Sequence, residues 1–358
     1  MRKLGSRGTG ALLGAGVVIL AIALWVSSRQ PSAAPSQAGK LVLPGLEHAL
    51  NSITEVRLSK ADGTRTTLEK GKADWVIGER GFPADSSLVR KLLIHLASLK
   101  IVETKTSDPK EYSVIGVQDV TSPRAPGTRI ELVEPGKTVS LIVGNPSGRD
   151  ASFIRIDGAK QSLLVSPQVM PESDPRRWLD DTIVDLPQSR IEDVRVKPAS
   201  GPAYTVMRDS QKQLDFTIPR LPRGRKLASV TVANPVANAL ASLTLDDVRK
   251  ATALPAHPVS AVYHTFDGLT VELTGQEDGK SRYVSISAAA SAKASKAVQA
   301  QAQSLDARFK GWQLEVLGYQ YDQLFQPLDA LLAKPAKPLK AKARKHSGPS
   351  VHRANTAG

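Results

Sequence analysis

Ile53-Thr54-Glu55-Val56-Arg57-Leu58 recurs further along the chain as Ile191-Glu192-Asp193-Val194-Arg195-Val196. Each copy ends in an apolar–charged–apolar alternation, the mark of a strand with one face buried. A turn follows each copy, Asp62-Gly63 in the first and Ser200-Gly201 in the second. Second alternating runs come next, Thr64 to Leu68 and Ala203 to Met207, so each copy reads as a β-hairpin. Third short strands are expected at Trp75-Val76-Ile77 and Phe216-Thr217-Ile218.

Helical spacing then appears in both copies. Leu88, Leu92, Leu93, Leu96 and Leu99 form one stripe, and Val232, Val236, Leu240 and Leu243 the other. The two stripes end in the same residues, Leu96-Ala97-Ser98-Leu99 and Leu240-Ala241-Ser242-Leu243. Asp85 or Ser86 is placed to cap the first helix. A later hairpin, Arg129-Ile130-Glu131-Leu132 with Val139 to Gly144, has its expected counterpart in Leu269 to Leu273 with Tyr283 to Ile286. Matching segments in the same order predict an α+β body of two tandem related units, rich in antiparallel hairpins, with one main helix each. They are assigned to residues 44–187 and 188–333, with an Ala/Ser-rich insert at 287–305 read as a surface helix or disordered.

Ahead of the body, the chain is uncharged from Gly8 to Ser28 and apolar from Ala11 to Val26, close to the roughly 20 residues that cross a bilayer. Arg2, Lys3 and Arg7 precede this segment and Arg29 follows it, which predicts a cytoplasmic N-terminus and a periplasmic or otherwise extracytoplasmic body. Residues 1–28 are thus the N-terminal arm and transmembrane helix of a single-pass inner-membrane protein, and 29–43 a flexible stalk. A cleavable signal peptide is the rival reading, with Ser32-Ala33-Ala34 as the cleavage site and an unfavourable Pro35 after it. Both put the body outside the cytoplasm.

The formal net charge of +14 is concentrated at the ends. Residues 1–40 carry Arg2, Lys3, Arg7, Arg29 and Lys40 without an acid, and the tail 334–358 carries seven Lys or Arg without an acid. The body is close to neutral, so nucleic acid is not an expected partner. No cysteine is present, which removes disulfides, thiolate metal sites, a cysteine nucleophile and an acylated-cysteine anchor.

The body resembles a bacterial domain-of-unknown-function family whose members are membrane-anchored, duplicated and often encoded beside gliding-motility-type ABC transporters. Carrying the resemblance are Asp74-Trp75-Val76-Ile77 before Phe82-Pro83-Ala84-Asp85, and Tyr112-Ser113-Val114-Ile115-Gly116-Val117. So do Leu141-Ile142-Val143-Gly144 before Phe153-Ile154-Arg155-Ile156, and Gly311-Trp312-Gln313-Leu314 leading into Tyr319-Gln320-Tyr321-Asp322-Gln323-Leu324. The resemblance implies a location and neighbours and supplies no catalytic residue.

Catalytic motifs are missing from the sequence. There is no His-Glu-x-x-His, no Gly-x-Ser-x-Gly and no phosphate-cradling Gly-x-x-x-x-Gly-Lys-Ser/Thr loop. The acid pairs Asp180-Asp181 and Asp246-Asp247 read as solvated loop residues, and His95 as a half-buried helix residue. No catalytic residue, cofactor or metal site is expected. Two basic clusters stand out as contact candidates. Arg176-Arg177-Trp178 sets guanidiniums beside an indole, for an anionic or sugar-bearing ligand or a protein partner, although a turn with Trp178 packed as a lid between the two units is the preferred reading. The loop containing Arg220, Arg223, Arg225 and Lys226 could meet anionic lipid or an anionic envelope polymer, as could the tail.

The leading expectation is a non-enzymatic accessory or scaffold protein docking on a transporter or another envelope complex. An envelope glycan or anionic-lipid binding module is the alternative, and an unrecognised hydrolase a more distant third.

Overall fold

The computed structural model describes residues 37–334 apart from Ser242. The span expected over residues 8–28, most of the stalk and nearly all of the basic tail lie outside the described residues. Among the described residues no helix is long and apolar enough to cross a membrane. The chain divides into two compact units between Asp181 and Thr182, each built on an antiparallel sheet with helices added.

The first unit holds β1 (Glu55–Ser59), β2 (Arg65–Lys70), β3 (Trp75–Ile77), β4 (Phe82–Pro83), β5 (Lys100–Thr104), β6 (Thr128–Glu134), β7 (Lys137–Ser147), β8 (Ala151–Ile156) and β9 (Ser162–Ser166). They form one sheet in the order β4-β3-β2-β1-β6-β7-β8-β9-β5. The second unit holds β10 (Thr182–Val184), β11 (Ile191–Lys197), β12 (Tyr204–Met207), β13 (Leu243–Thr244), β14 (Asp247–Lys250), β15 (Val259–Thr265), β16 (Leu269–Asp278), β17 (Ser281–Ala290) and β18 (Trp312–Val316). Its main sheet runs β12-β11-β15-β16-β17-β18-β14, while β10 pairs with β13 apart from it.

With β3, β4, β10 and β13 set aside, the two strand orders coincide place for place. The repeated motif explains the shared centre. Val56 lies opposite Leu68 on one side and Leu132 on the other, and all three are buried. Val194 takes the same place between Val206 and Tyr263, again all buried. A one-residue slip would turn these side chains to solvent, so the buried pairs fix the register.

Three expectations need correction. The first concerns the later hairpin. It is β15 that lies beside β11 as β6 lies beside β1, so the counterpart of β6–β7 is β15–β16, not Leu269–Leu273 with Tyr283–Ile286. The run Val259 to Thr265 hides its alternation behind the small Ser260 and Ala261, and period alone does not say which of three successive strands meets β11.

The second concerns the helices. The first unit has the expected one, Ser86–Ala97, burying Val89, Leu93, Leu96 and Ala97. Of the stretch expected to form the second unit's helix only Asn234–Ala237 is helical, and Leu243 belongs to β13. Val230, Thr231 and Val232 disfavour a helix upstream, and Pro235 is tolerated only in a first turn. The apolar spacing still buries Val236 and Leu240. The long helix of the second unit is Lys296–Phe309, between β17 and β18, inside the Ala/Ser/Gln/Lys-rich segment. Ser295 caps it, its Oγ accepting from Val298 N at 3.3 Å. The third correction is smaller. Phe216–Ile218 forms no strand and touches β12 only through a bridge between Met207 and Thr217.

Asp85 is the cap of the first helix, its Oδ1 accepting from Ser87 N at 2.8 Å and Leu88 N at 3.3 Å. Partial burial alone would raise this carboxyl, but hydrogen bonds from the Ser87 hydroxyl and from both amides outweigh it and hold it below the usual carboxylate range. Asp85→Ala is expected to lower stability by about 1 kcal/mol at neutral pH. The folded carboxyl titrates below the unfolded one, so the difference is full above the unfolded pKa of about 3.9 and fades as pH falls through the folded value. Paired denaturant titrations at neutral and acid pH check both points.

Two close backbone approaches shape the first unit. Gly144 on β7 accepts the turn Tyr112–Ile115 directly against its backbone: an added Cβ would lie 2.3 Å from the Ile115 carbonyl oxygen and 2.8 Å from Val117. Residues Gly39 to Val42 lie along the outer edge of β5. Gly39 N donates to Ile101 O at 2.7 Å, Ile101 N to Lys40 O at 2.9 Å and Val42 N to Leu99 O at 2.9 Å.

Candidate functional site

The structure separates the candidate residues into two places, one in each unit. Arg176, Arg177 and Trp178 belong to a short 3-10 turn, Pro175–Trp178, in the first unit. Asp174 caps the turn, and its carboxylate also receives Arg176 Nε at 3.0 Å and Nη2 at 2.7 Å. The Arg176 side chain, by its hydrogen bond, holds the Asp174 carboxyl below the usual range despite partial burial. Arg176 is therefore spent within its own turn.

Trp178 is buried, 5% exposed, and its indole N–H donates to Glu172 O at 2.8 Å. Its carbonyl accepts from Asp85 N at 2.8 Å, so the turn is fixed to the start of the helix Ser86–Ala97. The pairing of two free guanidiniums with an open indole is not what forms. Trp178 closes the core of the first unit.

Above it lies a cavity of about 370 Å³. Leu88, Leu92 and His95 line it from the helix, Val169 and Met170 from the segment after β9, and Trp178 from the turn. Lys91 and Arg177 add positive charge to an otherwise mainly apolar lining, to which Glu172 contributes the one acid. Met170 is 82% exposed and Leu88 38%, so the lining continues onto the surface. The Nε2 atom of His95 is buried there without a hydrogen-bond partner among the described residues. Unlike Trp178, Arg177 keeps its side chain at the surface.

Residues 222–226 form the second place. Arg225 N donates to Pro222 O at 3.0 Å, closing a turn through Gly224 at φ 73°. Arg225 reaches Asp329 at 3.9 Å, Lys226 O accepts from Ala333 N at 2.8 Å, and Leu227 bridges to Leu332. The loop is thus tied to the last described helical turn. Arg223 and Lys226 are exposed beside it.

Arg220 is carried elsewhere, over the outer face of the second sheet. There it joins Arg195 and Lys197 of β11 around a groove of about 580 Å³, with Tyr204, Thr205 and Met207 of β12 below. Arg195 and Lys197 escape a search for clusters along the chain. Their signal is strand parity: Asp193, Arg195 and Lys197 share the solvent face of β11 by alternation.

His264 Nδ1 lies 3.0 Å from Asp193 Oδ1, across the β11–β15 pair. Among the described residues no group of three or more His, Asp or Glu side chains is placed to hold a metal ion. Asp247 opens β14 and both Asp246 and Asp247 are half-buried, so this pair is not the solvated loop expected of it.

A family model described as a domain of unknown function (DUF4340) matches residues 75–262, from β3 of the first unit to β15 of the second. No curated protein and no solved structure matches the chain.

Proposed function

Since the chain belongs to the DUF4340 family of domains of unknown function, its activity has to be read from its own surfaces, and we propose that it is a non-enzymatic accessory or scaffold protein. In this reading residues 8–28 tether it to the inner membrane, and its extracytoplasmic body docks on another envelope protein, a transporter subunit in the first instance. The observation that carries the reading is the cavity beside the helix Ser86–Ala97. It offers apolar surface that continues outward over Met170 and Leu88, with Arg177 and Lys91 among its lining residues.

Methionine adapts its shape to a partner, and arginine is enriched among the few residues that dominate an interface. A docking face of about 800 Å² per partner, centred here, would bury both. One membrane segment is too little for a translocation path, and no nucleotide loop is present in the sequence, so a transport cycle would need another subunit.

The test is crosslinking in intact cells, isolation of membranes, gentle detergent extraction and co-purification. Wild type is compared with Met170→Asp/Arg177→Glu. Both substitutions fall on exposed side chains, so folding is expected to be kept. Wild type is expected in the membrane fraction with a stoichiometric partner, and the variant to lose about tenfold or more of that partner. Recovery of the wild-type protein alone after crosslinking would overturn the docking reading. Equal recovery by both would remove this cavity from it.

A further inference from the structure

The groove over the second sheet differs from its counterpart in the first unit in a way that points to a ligand. Glu55, Arg57 and Ser59 on β1 occupy the places of Asp193, Arg195 and Lys197 on β11. In the first unit Glu55 clasps Arg57 through two hydrogen bonds, at 2.5 Å from Nε and 2.9 Å from Nη2. Val133 stands across the strand pair from Glu55 and does not compete for the carboxylate.

In the second unit the residue across from Asp193 is His264, which takes the carboxylate at 3.0 Å. Arg195 is left 3.6 Å from Asp193, and its side chain is 69% exposed, against 48% for Arg57. Ser59 is replaced by Lys197, and the acid at Glu69 by Met207. The loop then adds Arg220. One sheet face is neutralised from within. The equivalent face of the other unit carries two guanidiniums and an ammonium around a groove whose one acid is already engaged.

We propose that this groove binds a phosphate-bearing ligand, with Arg195, Lys197 and Arg220 as its direct contacts. A carboxylate is satisfied by one guanidinium fork, so three cations oversupply it. A phosphate offers oxygens on several sides and accepts from two forks and an ammonium together. Arg195 and Lys197 lie two residues apart on one strand, about 7 Å, close enough for long side chains to converge on one phosphate or to take two successive ones. Such a ligand could be an anionic lipid headgroup or a soluble phosphate ester, since both present the same oxygens. The site lies in a different unit from the docking cavity and does not depend on it.

The experiment uses the full-length chain in a non-ionic detergent, with inorganic tripolyphosphate titrated by calorimetry. Wild type is expected to bind saturably, and Arg195→Ser/Arg220→Ser to bind about tenfold or more weakly, since a charge-assisted hydrogen bond is worth about 1.5–3 kcal/mol. Arg223→Ser is the matched control: it removes one charge from the same loop without lining the groove, and its affinity should stay within about twofold of wild type. Thermal unfolding of all three should coincide. Competition by dihexanoyl phosphatidylglycerol would assign the site to lipid, and persistence of tripolyphosphate binding against that lipid would assign it to soluble phosphate. The proposal is overturned by the absence of saturable binding in wild type, by unchanged affinity in the double variant, or by an equal loss in Arg223→Ser, which would mean diffuse charge.

Discussion

Arg208→Ala is expected to destabilise the second unit by on the order of 4 kcal/mol, one of the two largest effects the structure foresees for a single substitution. Arg208 is 3% exposed, and among the described residues it pairs with no carboxylate. Its guanidinium donates to four backbone carbonyls instead: Ile191 O, Gln213 O and Gln188 O at 2.9 Å and Ser189 O at 2.6 Å. Phe216 and Phe266 flank it, with ring centres 4.8 and 5.4 Å from its central carbon. Burial lowers its pKa, yet a guanidinium stays protonated. Truncation would strand one buried acceptor, Ile191 O, and three part-buried ones, each costing about 1–3 kcal/mol unless water reaches it. Lys70 at the corresponding place in the first unit is exposed and makes one such bond, to Asn51 O at 2.7 Å. Lys70→Ala should therefore stay within about 0.5 kcal/mol of wild type. Denaturant titrations of both variants give the comparison. A small effect at Arg208 would mean that water replaces the guanidinium.

Trp178→Ala is expected to cost about 3–5 kcal/mol, now in the first unit. The indole fills the core under the cavity, its N–H holds Glu172 O, and the same turn anchors the helix Ser86–Ala97 through Asp85. Nearby, Thr66 Oγ donates to Ser173 O at 2.8 Å and would lose its ordered partner segment. Trp178→Phe keeps most of the apolar burial and strands only the Glu172 carbonyl, so about 1 kcal/mol is expected. A thermal melt of the three proteins separates the cases. Near-equal melting of wild type and Trp178→Ala would show that the indole is not core.

Strand centres were legible because Val56, Leu58, Val194 and Val196 must all be buried, and a period of two leaves one solution. The second helix misled because burial of Val236, Leu240 and Leu243 mimics a helical stripe whichever way the backbone runs, and Pro235 and the β-branched residues ahead of it decided otherwise. For Arg176-Arg177-Trp178 two readings stood, an open binding set and, preferred, a turn with Trp178 packed, and a turn with Trp178 buried is what forms. The Asp174-Pro175 start of the turn, which takes Arg176 and buries Trp178, is a local capping signal that was in view. The groove was not legible along the chain. Arg195 and Arg220 come together only when the strand pairing is known, and what frees Arg195 is the identity of the residue across from Asp193.

The pairing of Gly39 to Val42 with the edge of β5 has a consequence of scale. The first unit takes hold of the chain at Gly39, so under the proposed tethering by residues 8–28 a leash of only about ten residues would join span to body, with a contour length of at most ~35 Å. Such a tether would set a ceiling on how far the first unit stands above the bilayer. Within that shell a site on a membrane neighbour meets the body at high effective concentration, even where its intrinsic affinity is weak. Beyond it, no affinity would be enough. Lengthening the leash with Gly-Ser repeats would raise the ceiling while diluting every encounter below it.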